Sequence, residues 1–161
     1  MIIVLMGVSG SGKTTLGKKL AERLEFPFLE GDDFHSVANK TKMEAGIPLT
    51  DEDRLPWLQS LSQELKKIAA EGSRAVIACS ALKKKYRDLL SQGASVQWIY
   101  LKGRKDLIRR RIERRQGHFM KAELLESQFD VLEEPGDAIV VDINLDSDKL
   151  VETILDQLKG T

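Results

Sequence analysis

Residues 7–14 read Gly7-Val8-Ser9-Gly10-Ser11-Gly12-Lys13-Thr14, which fits G-x-x-x-x-G-K-[ST] at every fixed position. Glycines at 7, 10 and 12 let the backbone wrap tightly with positive φ. Successive N–H groups then converge as an anion nest at a helix N-terminus, where the macrodipole favours phosphate. Lys13 supplies a positive charge for the β- and γ-phosphates, and the Thr14 hydroxyl can ligate Mg²⁺. The segment predicts an ATP site running from Gly7 to Thr15, with Mg²⁺ at Thr14. The competing reading is a glycine turn that binds nothing. It leaves Gly-Lys-Thr in this frame, after an opening strand, unexplained. The loop by itself predicts a bound triphosphate and not the reaction.

A second polar group follows at Glu30-Gly31-Asp32-Asp33-Phe34-His35. Carboxylates facing a triphosphate need a cation or an acceptor hydroxyl between them. Asp32 is the candidate to accept a proton from that hydroxyl, and Glu30 or Asp33 the candidates for the magnesium surroundings. A solvated turn with Asp32 as a helix N-cap is the alternative. His35 reads either as a substrate hydrogen-bonding group or as a capping histidine. Arg54 reads either as a fork for a carboxylate or phosphoryl oxygen, or as an ion-pair partner of Asp51.

Cys79-Ser80-Ala81-Leu82-Lys83 ends a later apolar run. Many phosphate-loop ATPases place an Asp there. Its absence weighs against motors and switches, and Ser80 and Lys83 read as substrate-pocket groups. Cys79, at the end of an apolar run, reads as an inert buried thiol. Lys102–Arg115 carries eight positive and two negative side chains. It reads as a solvated helix with pairs such as Asp106–Arg109 or Arg109–Glu113, as a nucleic-acid patch, or as a lid. A lid over roughly 109–125 would use Arg111 and Arg115 on ATP, with Arg115 neutralising charge on the transferring group.

These groups need a frame. Short apolar runs at Ile2–Met6, Phe26–Leu29, Ala75–Cys79, Val96–Leu101 and Ala138–Ile143 read as strands covered on both faces. Helical patterns alternate with them at Lys13–Leu24, from Thr50 to Ile68, and at Ala81–Leu90, Lys105–Arg115, Lys121–Leu132 and Ser147–Leu158. Thr50-Asp51-Glu52-Asp53 resembles a capping box. The alternation predicts an α/β fold, a parallel sheet between two helical layers, with the ligand crevice at the carboxyl ends of the strands.

The chain has 161 residues, which suits one domain over 1–161. Lys+Arg and Asp+Glu each number 25, giving net charge 0. That balance argues against bulk nucleic-acid binding and a polybasic membrane surface. The single Cys79 excludes an internal disulfide, and no apolar run reaches about 18 residues. The expectation is a cytoplasmic protein without nucleic-acid or membrane partners.

The longer blocks are more specific. GDDFH at 31–35, NKTKMEAGIPLTDEDRLPWL at 39–58, CSALKKKYRDLL at 79–90, YLKG at 100–103 and RRQGHFM followed by LLESQFDVLEEP to 135 resemble gluconate kinases. These form part of the shikimate-kinase and nucleotide-kinase branch of phosphate-loop proteins. The resemblance implies a five-stranded sheet in the order 2-3-1-4-5, a mobile lid, and a homodimer. It implies transfer of the ATP γ-phosphoryl group to the 6-hydroxyl of D-gluconate. Asp32 then matches the carboxylate at the acceptor hydroxyl, Arg54 the arginine at the acid end, and Arg111, Arg115 and His118 the lid. Glu30 stands where Asp is more usual. Ser-Ala-Leu-Lys at 80–83 departs from the glycine cluster of shikimate kinases. His35, Asn39, Lys83, His118 and Gln128 could bind the hydroxyls and carboxylate of a sugar acid. The rivals are a kinase of the same fold acting on another polyol acid or a nucleotide, and a nucleotide-driven RNA-binding switch.

Overall fold

Five consecutive apolar residues form β1 (Ile2–Met6), and all five are buried. A strand sends successive side chains to opposite faces, so such a run needs cover on both. The computed structural model describes residues 1–114 and 123–160, and it provides that cover. β1 pairs in parallel with β3 (Ala75–Ala78) on one side and β4 (Val96–Lys102) on the other. β2 (Phe28–Glu30) lies outside β3, and β5 (Ile139–Asp142) outside β4. Among the described residues this is a five-stranded parallel sheet in the order β2-β3-β1-β4-β5, as expected.

The helices divide between the two faces according to the strand alternation. Ile3 and Leu5 pack with α1 (Lys13–Leu24), α5 (Lys105–Arg114) and α7 (Ser147–Lys159) through Leu16, Leu20, Ile108, Ile112, Leu150 and Ile154. Ile2, Val4 and Met6 pack with α3 (Asp51–Ala70) and α4 (Lys84–Leu90) through Leu58, Leu61, Leu65, Tyr86 and Leu90. β5 alternates buried and exposed residues, because an edge strand is covered on one face only. Two further helices, α2 (Val37–Glu44) and α6 (Glu123–Val131), meet through the small apolar cluster of Met43, Leu49 and Leu124. Among the described residues no helix is long and apolar enough to cross a membrane.

Leu61 sits on α3 with no exposed surface. Leu61→Ala is expected to lower unfolding free energy by about 2–5 kcal/mol in urea titrations, through lost burial and a residual cavity. A loss below about 1 kcal/mol would contradict the packing of α3 on this face.

Two differences from the expected elements have physical causes. α4 begins at Lys84 and not at Ala81, because Ala81 has φ +44°, outside the helical region. α2 was not expected: its eight residues present only Val37, Ala38 and Met43 as apolar groups, so no stripe announces it. It is fixed instead by Ser36, whose side chain caps the Asn39 N–H at 3.1 Å. Of the expected lid, residues 109–114 end α5 and 123–125 begin α6. Residues 115–122, with Arg115 and His118, lie outside the described residues.

Candidate active site

Parallel strands bring their carboxyl ends to one edge, and three of the loops there converge. In register, Leu5 and Glu30 both align with Ala78. The turns that follow, starting at Gly7, Gly31 and Cys79, are therefore neighbours. Gly7 N–H donates to Ser80 O at 3.3 Å, which ties the phosphate loop to the turn after β3.

The phosphate loop has the backbone its glycines predict. Gly7, Gly10 and Gly12 take φ of +152°, +81° and +97°, and Gly12 leads directly into α1. Gly10 also has no room for a side chain: a Cβ there would stand 2.8 Å from Ile112 of α5. Lys13 Nζ donates to Gly7 O and Val8 O, each at 3.0 Å, curling the loop around the lysine. Ser11 Oγ is buried in the loop with no hydrogen-bond partner among the described residues. The Ser9 N–H donates to Gln128 Oε1 of α6 at 2.6 Å.

Glu30 ends β2, and its carboxylate accepts a hydrogen bond from the Thr14 hydroxyl. The two oxygen groups named for the magnesium surroundings are thus adjacent, whereas Asp33 is exposed in the next turn. Asp32 is not a helix cap. Glu30 caps the short 3₁₀ turn from Gly31 to Phe34, and Ser36 caps α2. The Asp32 side chain is half-buried and shares a cleft lining with Lys13. Burial raises its pKa above the usual carboxylate range; Lys13 opposes this, and Glu30 and Asp33 add to it.

Gly31 is what lets Asp32 reach that cleft. A Cβ on Gly31 would lie 2.4 Å from the Ala78 carbonyl oxygen, which belongs to the β3 backbone and cannot step aside. Gly31→Ala is expected to displace the 31–35 turn, lowering kcat/KM by at least about tenfold along with Tm, read by steady-state kinetics and thermal melts. Wild-type values of both would contradict the close approach.

His35 lies against Trp57, ring centroids 4.0 Å apart and 17° from parallel. Trp57 Nε1 donates to Gly31 O at 2.8 Å, which locks α3 to the turn. Burial, with the charges of Arg54 and Lys40, holds the His35 pKa down at about 4. Arg54 projects from the first turns of α3, whose capping box is present: Thr50 Oγ1 accepts from Asp53 N–H and Asp53 Oδ2 from Thr50 N–H, both at 3.0 Å. Arg54 Nη1 donates to the Tyr86 hydroxyl at 3.3 Å. Tyr86 in turn donates to Asp51.

One cleft is lined by Ser9, Lys13, Asp32, His35, Arg54, Ser80 and Gln128, together with Met43, Pro48, Leu49, Trp57, Leu82, Leu124 and Ser127. Among the described residues, two named as substrate contacts are not in this lining. Lys83 Nζ is bonded to Asp51 at 2.9 Å, because Lys83, Lys85 and Tyr86 all converge on that carboxylate and lower its pKa. Asp51 is thereby used, and the Arg54–Asp51 pair does not form directly. Asn39 is buried between His35 and α3 and not at the cleft. Arg111 is also elsewhere, donating to Ile143 O at 2.8 Å. Along α5, Arg109 and Lys105 bond Glu126 of α6 at 2.7 Å each. Asp106 takes Arg104 and Arg110 in place of the expected Arg109. Burial pushes the Cys79 thiol up to about 12, so it remains an un-ionised core group.

Two residues at the site that were not singled out from the sequence are Trp57, stacked on His35, and Tyr86, bonded to Arg54 and embedded in the 79–90 block. An aromatic one turn after Arg54 was the available signal for Trp57. For Tyr86 there was none short of knowing which face of α4 meets α3.

The chain is similar throughout its length to known proteins. The family described as AAA domain matches residues 2–135. The thermosensitive gluconokinase of Escherichia coli K12 is 46% identical, with 92% of this chain and 82% of that protein covered. The thermoresistant gluconokinase of the same organism is 44% identical, with 98% and 93% covered. Among solved structures, a sugar kinase from Janibacter sp. HTCC2649, in unliganded form, superposes with a TM-score of 0.92 at 46% identity, covering 98% of this chain and 94% of that one. A gluconokinase from Sinorhizobium meliloti 1021 gives 0.87 at 40% identity, covering 98% and 90%.

Proposed function

Since the chain belongs to the gluconokinase family, we propose that it transfers the γ-phosphoryl group of ATP to the 6-hydroxyl of D-gluconate, giving ADP and 6-phosphogluconate. The observation that carries the reading is the single cleft in which Lys13 of the phosphate loop meets Asp32, His35 and Arg54. A triphosphate tail and a polyhydroxy acid need those groups side by side. The whole chain, 1–161, acts as one kinase domain, and ATP as donor suits a cytoplasmic enzyme.

The acceptor hydroxyl oxygen attacks the γ-phosphorus, the bond to the bridging oxygen of ADP breaks, and the hydroxyl proton passes to Asp32. Its raised pKa brings Asp32 closer to the pH at which a base works best. Lys13 and the converging amides of the loop stabilise charge on the phosphoryl oxygens. The Arg54 fork pairs with the acceptor carboxylate, oriented by the Tyr86 hydroxyl. Gln128, bonded to Ser9, sets α6 across the loop. The Thr14 hydroxyl beside the Glu30 carboxylate is an oxygen pair that suits Mg²⁺, which takes one or two protein ligands plus phosphate and water. When bound there, Mg²⁺ would supply charge neutralisation to the phosphates.

The test is ADP release with a panel of acceptors and ³¹P identification of the product. D-gluconate is expected to stimulate release far above shikimate, neutral polyols and nucleosides, with phosphate on C6. Equal release without an acceptor, or preference for a nucleoside, would overturn the reading.

A further inference from the structure

We propose that Asn39 is a positioning residue that sets the tautomer of His35, making His35 a neutral Nε2–H donor toward a hydroxyl oxygen of the acceptor. The second half of this statement rests on the cleft being the acceptor site; the first does not.

The Asn39 carboxamide, carried by α2, is buried. One of its atoms faces the Asp53 carbonyl oxygen at 2.8 Å. A carbonyl only accepts, so that atom is the NH₂ nitrogen. The same nitrogen lies 3.3 Å from His35 Nδ1. An amide NH₂ only donates, so Nδ1 accepts and carries no proton. An imidazole with bare Nδ1 is neutral and holds its proton on Nε2. The opposite tautomer, like the imidazolium, would set two N–H groups against each other at 3.3 Å inside the protein.

Each participant is held from outside the pair. The Asn39 N–H is capped by Ser36. Asp53 is fixed by the capping box and by Lys42, whose Nζ reaches both carboxylate oxygens at 3.1 and 3.0 Å. The imidazole plane is set by the stack on Trp57. The carboxamide cannot flip without facing oxygen to oxygen at Asp53, and the ring cannot flip without losing Nδ1 as acceptor.

The consequence is chemical selectivity. Arg54 already presents a permanent cation in this cleft. A second cation at His35 would compete for the acceptor carboxylate and repel Arg54. A neutral N–H instead reads an oxygen lone pair, as a hydroxyl offers, and leaves the carboxylate to the guanidinium.

The test is ¹⁵N NMR of the imidazole nitrogens at neutral pH, combined with kinetics. The chain has two histidines, so His118→Gln assigns the signals. In the wild type, His35 is expected to show an unprotonated Nδ1 and a proton on Nε2. Asn39→Asp, which can only accept, is expected to draw the proton to Nδ1. It should raise KM for D-gluconate about tenfold while KM for ATP stays within about twofold, the scale of one lost hydrogen bond. Asn39→Leu, lacking both donor and acceptor, should give mixed tautomers and a rise of about threefold. A wild-type spectrum with the proton on Nδ1 overturns the assignment, and needs no variant that folds. A moved proton with unchanged KM for D-gluconate overturns the link to the acceptor. If D-gluconate is not a substrate, the spectrum still reports the tautomer, so the two failures are distinguishable.

Discussion

Asp32→Asn is expected to lower kcat by at least about 10²-fold and to raise Tm. The two effects share one cause. Asp32 is half-buried at the cleft, and burial raises its pKa against the opposing charge of Lys13. A folded-state pKa above the unfolded value of 3.8 means that the folded protein holds more protons in the window just above 3.8. Stability from this group is therefore greatest at low pH and falls as pH rises through the folded pKa. At neutral pH the ionised carboxylate is a cost to the fold, and asparagine removes it. Removing it also removes the group proposed to take the acceptor proton, and general-base help is worth about 10²–10⁴-fold. The acid limb of kcat/KM in the wild type should lie above the ordinary carboxylate pKa and should vanish in the variant. Steady-state kinetics from pH 4 to 9 and thermal melts check both halves. Normal kcat in Asp32→Asn would remove the residue from the chemistry.

Lys13→Met is expected to lower kcat/KM by at least about 10³-fold, to the limit of detection. Loss of a single preorganised donor to a developing charge costs about 10²–10³-fold, and Lys13 brings a full charge as well. It has a second, structural share. Its ammonium bridges Gly7 O and Val8 O and so holds the loop curled. Methionine keeps the length of the stem and removes both bonds, which should cost about 1–3 kcal/mol of stability. The two shares separate experimentally: urea titration reads the second, and kinetics at saturating ATP reads the first. Retained turnover with intact folding would mean that the loop amides alone carry the phosphate charge.

The strand runs and the phosphate loop were legible in the sequence because both are local. An unbroken apolar run such as Ile2–Met6 requires cover on two faces wherever it lies, and the spacing of glycines with Gly-Lys-Thr dictates one backbone path. The capping box at Thr50 was legible for the same reason. The substrate side was legible only as a set of residue types. Arg54 and His35 lie in the cleft, while Lys83 and Asn39 do not, and nothing in their spacing distinguishes the two pairs. What decides is pairing across elements: Asp51 gathers Lys83 from the turn before α4, and Asp53 O turns the Asn39 amide away. Those partners are more than ten residues apart in sequence. α2 was invisible because a helix with little apolar surface is specified by its cap and its neighbours.

The central claim is that one crevice presents a triphosphate to an alcohol held opposite Asp32. A crystal structure with a non-hydrolysable ATP analogue and D-gluconate tests it directly. An Asp32 carboxylate oxygen is expected within hydrogen-bonding distance of the 6-hydroxyl, itself in line with the γ-phosphorus, and Arg54 on the sugar-acid carboxylate. Gluconate bound with its C1 carboxylate toward the phosphates, or an Asp32 side chain turned away from every hydroxyl, would contradict it.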